Sequence, residues 1–174
     1  MLEHITVYRE LVGSETVDRA LETVAPAVRA AYESCVPGAW IDVEVSRQLY
    51  DAMAAAAGRD VVELHGEVIA IGYGRALKGL WRSLMLRIAS DKALIGRAPL
   101  LYAKTFDGGE MRAELVEPGR AELEVHGWPQ MPAVHRHGIA CGVKTVLELA
   151  GRKSLAVDHG PTATGVRYRV RWSG

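Results

Sequence analysis

Cysteine, net charge and long apolar runs are what this chain is short of, and each shortage closes off a class of protein. Two cysteines, Cys35 and Cys141, among 174 residues are too few for a disulfide framework. Free thiols in a reducing cytoplasm are expected. Basic and acidic residues number 21 each, so the formal charge is zero and no general attraction to nucleic acid follows. Charged residues break every apolar stretch before the roughly eighteen residues of a membrane span. Met1-Leu2-Glu3-His4 lacks the basic-then-apolar pattern of a signal peptide. Nor is there an internal repeat, or a low-complexity tract beyond Ala54 to Ala57. Motifs of catalysis are missing too. Cys141 has no nucleophile elbow around it, and the Asp158-His159 pair precedes a turn. Gly72-Tyr73-Gly74-Arg75 lacks the preceding strand and the third glycine of a phosphate loop. An enzyme is not expected.

What is there is a patterned C-terminal third. Ala121, Leu123 and Val125 alternate with Arg120, Glu122, Glu124 and His126, and Val166, Tyr168, Val170 and Trp172 alternate with Arg167, Arg169 and Arg171. That period of two marks strands with one buried and one wet face. Strands are predicted over 110–116, 120–126, 153–158 and 166–172, with turns at Glu117-Pro118-Gly119 and Gly160-Pro161-Thr162. A helix over 133–150 joins the two hairpins and stops at Gly151. The second strand's outer row is acidic and the fourth's is basic. Opposite charges across a ladder favour pairing, so these two strands are placed side by side and antiparallel, in the order 1-2-4-3. Plain solvation of both rows is the alternative.

The first 105 residues read as helices. Ser14 is a candidate cap for a run to Cys35 in which Val17, Leu21, Val24, Val28 and Tyr32 fall at helical spacing, divided by Pro26. Trp40 to Val45 reads as extended or loop, Ser46 to Ala57 as a helix closed by Gly58, and a third helix starts near Asp60. Gly72, Gly74 and Gly79 interrupt its pattern and allow close packing or a bend. Leu80 to Ala89 and Lys92 to Lys104 read as short helices. Helices segregated from a sheet define an α+β domain: a single domain over 1–174, with a helical subregion over 1–105 and a ββαββ subregion over 106–174.

The run His135-Arg136-His137-Gly138-Ile139-Ala140-Cys141-Gly142-Val143-Lys144, continuing to Gly151-Arg152-Lys153, resembles the small-residue helix of 4-vinyl reductase-type domains. Over the whole chain, Pro99-Leu100-Leu101-Tyr102, Phe106-Asp107-Gly108-Gly109-Glu110 and Tyr168-Arg169-Val170-Arg171-Trp172 resemble an uncharacterised myxobacterial family. The superfamily also holds haem–nitric-oxide/oxygen-binding (H-NOX) domains and the Bet-type subunits of the TRAPP tethering complex. The resemblance implies helices packed on the ββαββ sheet, with a hydrophobic cavity between the layers. Trp40, Trp81, Tyr102, Phe106, Trp128, Ile139, Val143, Leu147 and Tyr168 would line it. A hydrophobic ligand wedged there would shift the amino-terminal helices, and a partner would read the shift.

The function expected is therefore a non-catalytic small-molecule sensor or adaptor. The alternative is an interaction module with a filled core, forming a homodimer or binding a partner protein as TRAPP subunits do. A third reading is a metal protein. His137 and Cys141 sit four apart on one helical face, and Cys35, with His135 or His126, would complete the set. The cofactor is unknown, and haem is not expected. H-NOX domains hold it through a histidine on the helix before the sheet and a Tyr-x-Ser-x-Arg motif. No histidine occurs between Leu80 and Phe106, and Tyr168-Arg169-Val170-Arg171 breaks the spacing.

Overall fold

The computed structural model describes residues 2–34, 41–77 and 90–173, with side chains from His4 onward. Cys35, Trp40 and Trp81, and the helix expected over 80–89, lie outside the described residues. The chain divides into two compact units, Met1–Gly72 and Tyr73–Gly174. The short helices after residue 90 therefore group with the sheet.

The first unit is helical: α1 (Leu2–Val12), α2 (Ser14–Thr23), α3 (Pro26–Glu33), α4 (Val43–Ala57) and most of α5 (Val61–Leu77). Pro26 divides α2 from α3 as predicted, standing in the first turn where its missing N–H costs nothing. Ser14 is not a cap. Gly13 holds that position at φ 88°, and no side-chain cap bond forms. Helix α4 starts three residues before the expected Ser46, because the Asp42 carboxylate accepts from the N–H groups of Glu44 (2.8 Å) and Val45 (3.3 Å). That cap overrides the strand-like alternation of Val43 and Val45. Asp60 caps α5 in the same way, at 2.9 Å to Val62 N and Glu63 N. Gly58 closes α4 in the left-handed conformation, φ 63°. Gly72 and Gly74 do not break α5, and Gly72 lies beside the His4 ring. Helix α1 carries Ile5 and Tyr8 into a core with Val17, Leu49, Met53 and Leu64. There the Tyr8 hydroxyl and His65 Nδ1 lie 3.1 Å apart, and Tyr50 stacks on the imidazole at 3.9 Å.

The second unit holds α6 (Asp91–Ile95), α7 (Ala98–Ala103), β1 (Glu110–Glu117), β2 (Arg120–His126), α8 (Ala133–Leu149), β3 (Lys153–Pro161) and β4 (Gly165–Ser173). The helix expected over 92–104 is thus two, interrupted at Gly96-Arg97. The sheet is antiparallel throughout, in the order β1-β2-β4-β3, as the charge rows imply. Glu124 faces Arg167 and Glu122 faces Arg169, and the first pair closes to 3.3 Å. Further along the ladder Arg120 faces Arg171, which turns instead to Asp158 at 2.9 Å. The second hairpin tip lies at 162–164, later than expected, since β3 stays paired through Pro161. There Gly165 N donates to the Thr162 hydroxyl and Thr162 N to Gly165 O. Gly119 at φ 80° makes the first turn, and Gly151 at φ 83° follows the cap of α8 as predicted.

The inward rows of β2 and β4, with Met131, Ile139 and Leu147, form the core of this unit. Among the described residues no helix is long and apolar enough to cross a membrane.

Candidate functional site

The core of the second unit is not solid. A cavity of about 70 Å³ lies within it. Helix α8 supplies Ile139, Gly142, Val143, Val146 and Leu147, a stripe at helical spacing. Leu94 and Ile95 of α6, and Ala98, Leu101 and Tyr102 of α7, come from across it. Their spacing continues one helical stripe through the break at Gly96-Arg97. Met111 of β1 and Leu123 of β2 provide the sheet side, and Tyr73 and Phe106 complete the lining. The phenol groups of Tyr73 and Tyr102 are the only side-chain oxygens among these residues. Tyr102 commits its hydroxyl by donating to the Gly108 carbonyl. Burial, and secondarily the charge of Asp107, raise its pKa, so it stays protonated at neutral pH.

Five of the expected lining residues meet here: Tyr102, Phe106, Ile139, Val143 and Leu147. Two others fill space instead. Trp128 packs against Phe106 at 6.0 Å and His135 at 5.8 Å, and Gly108 leaves no room for a Cβ beneath its ring without a contact of 3.3 Å. Tyr168 is fully buried, its hydroxyl 3.7 Å from Met131 Sδ, and it packs on His159. Trp40 and Trp81 lie outside the described residues. The reading of the sequence missed Leu94, Ile95, Met111, Leu123 and Tyr73. The stripe from Leu94 to Tyr102 was the available signal.

Among the described residues the metal candidates do not converge. His137 packs edge-on against His159 at 6.1 Å. His135 is buried against Phe106 and Trp128, where desolvation pushes its pKa down to about 4. His126 lies 3.2 Å from the Thr164 hydroxyl. Burial raises the pKa of Cys141, against the thiolate form that binds metal. Cys35 is outside the described residues. Among the described residues no group of three His, Cys, Asp or Glu side chains is placed to hold a metal ion.

No family model and no curated protein matches this chain. Solved structures do. An iron(II) unliganded H-NOX protein from K. algicida is similar over 99% of this chain and 94% of its own, at TM-score 0.76 and 11% identity. An oxygen-binding H-NOX domain related to soluble guanylate cyclases gives TM-score 0.67 at 17% identity, covering 99% and 92%. A structure concerned with haem distortion in the H-NOX family gives 0.69 at 16%, with the same coverage. The fold is H-NOX-like, which is the architecture the motifs' resemblance implied.

These neighbours overturn the expectation that haem is not the ligand, since an iron(II) protein and a haem protein share the fold from end to end. The expectation rested on a missing histidine and one broken motif. Haem iron is also held by thiolate, thioether and phenolate ligands, so the missing imidazole excludes less than was assumed. The residues present fit the group in chemistry: apolar walls suit the face of a ring, and Tyr73 is a lining residue whose oxygen could serve as donor. At about 70 Å³ the cavity is smaller than such a ring, so the space as it stands does not hold one.

Proposed function

We propose that this chain is a ligand-binding sensor domain whose apolar cavity, between α6–α7, α8 and the sheet in the second unit, takes a hydrophobic small molecule. Haem is the first ligand to test. The observation that carries the reading is the cavity itself, lined among the described residues by aliphatic and aromatic side chains, in a core that is otherwise closely packed. An apolar void of this kind forfeits dispersion contacts on its own lining, and a ligand would restore them. Among the described residues of the lining none supplies a nucleophile or an acid–base pair, which supports binding rather than turnover.

Haem, when bound, would supply an iron centre for a diatomic gas. This chain's part would be to exclude water through the apolar walls, with Tyr73 the lining residue whose phenol oxygen could act as a donor to the iron. Titration of purified protein with hemin, followed by its Soret band, tests this directly, and a thermal shift with benzene tests the apolar cavity alone. Saturable binding of either supports the reading. A protein indifferent to both overturns it.

A further inference from the structure

A helix of five residues has no stability of its own, yet α6 presents Leu94 and Ile95 to the cavity. Something outside α6 must hold it. Its N-cap, Ser90, receives the Ala93 N–H at 3.3 Å, a weak bond. The stronger tie is one residue on. Asp91 Oδ1 accepts from Arg152 Nε at 2.8 Å and from a second guanidinium nitrogen, and Oδ2 accepts from the Trp172 indole N–H at 3.3 Å. Arg152 spends its remaining arm on the Ala150 carbonyl at 2.8 Å. The partners are 61 and 81 residues away in the chain. One carboxylate thus joins the start of α6 to the end of α8, the entry of β3 and the end of β4.

This tie differs from the other ion pairs of the unit. Asp91 and Arg152 keep only 22% and 18% of their side-chain surface exposed, against 66% and 63% for Asp158 and Arg171. Solvent therefore screens it far less. Two guanidinium donors converge on Oδ1 while the indole N–H takes Oδ2, so both carboxylate oxygens are held from separate elements. Leu94 and Ile95 lie three and four residues beyond Asp91, on the same side of the helix. Holding the carboxylate holds those two side chains.

We infer that the Asp91–Arg152–Trp172 tie sets the size limit of the cavity, acting as a positioning device that keeps α6 against α8 and the sheet. The inference rests on the ligand-binding reading above and deepens it. Small apolar molecules enter with the tie intact, and larger rings enter only when α6 is released.

The test compares benzene and naphthalene affinities of the full chain with those of Asp91→Asn. An amide offers one acceptor where the carboxylate offers two, so either Arg152 or Trp172 faces an N–H group. The ratio of naphthalene to benzene affinity should rise by about tenfold. Amide hydrogen exchange over 91–103 should quicken by a similar factor while the strands keep their protection. Arg152→Lys, which keeps the charge but loses the fork, should give a smaller change of the same sign and serves if Asp91→Asn does not fold. Arg171→Gln, which breaks only the exposed pair, should leave the ratio alone. Uptake of both probes with an unchanged ratio in both tie variants overturns the inference by itself. Uptake of neither probe nor hemin by any form overturns the ligand reading, and the size limit with it.

Discussion

Leu123→Ala measures how the cavity and the sheet share one core. Leu123 is 1% exposed, stands between Ala121 and Val125 on the inward row of β2, faces Tyr168 across the ladder and also lines the cavity. The substitution removes three carbons. At roughly 0.8 kcal/mol for each buried methylene the transfer loss is about 2.4 kcal/mol. The added void brings the cost to about 3 kcal/mol, inside the range of about 2.7–5 kcal/mol seen for buried leucines. Urea unfolding followed by tryptophan fluorescence reads this as a lower midpoint at unchanged slope. The new space adjoins the existing cavity and enlarges it. Benzene at about a hundredfold excess over its dissociation constant should then return about 2.7 kcal/mol. Leu100→Ala, at an exposed position (56%), should change stability by less than about 0.5 kcal/mol. A cost below about 1 kcal/mol for Leu123→Ala would refute the packing described here. The full cost with no recovery in benzene would refute a continuous ligand-sized space.

Two further predictions test the framework around the site. In Gly165→Ala the new Cβ would meet Val125 O at 1.9 Å and Val125 C at 2.9 Å, both backbone atoms that no rotamer change can move. The β2–β4 junction should separate at a cost above about 3 kcal/mol, and a melting temperature within about 2 °C of the native protein, on a scale of several degrees per kcal/mol, would contradict that register. Burial holds the folded pKa of His135 at about 4, below the ordinary 6.5. The folded state therefore binds fewer protons, its stability is complete above pH 6.5, and it is lost as pH falls from there toward 4. The full displacement amounts to about 3 kcal/mol at about 1.4 kcal/mol per pH unit. Unfolding curves at pH 7 and pH 4.5 should show most of that loss, and His135→Phe should flatten it. An equal loss in the variant would place the acid sensitivity elsewhere.

The architecture of the second unit was legible because its strands keep a strict alternation and their outer rows carry opposite charges. Glu124 and Arg167 do pair, so the electrostatic argument for the strand order rested on a real contact. Arg120 opposite Arg171 shows its limit: a like-charged pair is tolerated where a third residue, Asp158, takes one partner. The start of α4 was misread because a capping carboxylate, Asp42, outweighs a short alternating run. Helix α1 went unread although Ile5, Tyr8 and Val12 carry helical spacing.

The site was harder to read than the fold, for a physical reason. A leucine facing a void and a leucine facing a neighbour look the same in sequence, so Leu123 gave no sign of its role, and the stripe from Leu94 to Tyr102 marked a buried face without marking a cavity. Aromatic residues drew attention through size, yet Tyr168 and Trp128 fill space rather than border it. The haem question turned on one imidazole at one place and one broken motif, whereas proteins of the same fold hold iron or haem.

Whether the apolar cavity of the second unit accepts a molecule decides the proposed function. Diffraction from crystals of the protein equilibrated with xenon tests it most directly, because xenon occupies dry apolar cavities without demanding any particular contact. A xenon atom is expected among Leu94, Leu123, Ile139 and Val143. Crystals that bind xenon nowhere between α8 and the sheet, with those side chains in mutual contact, would contradict it.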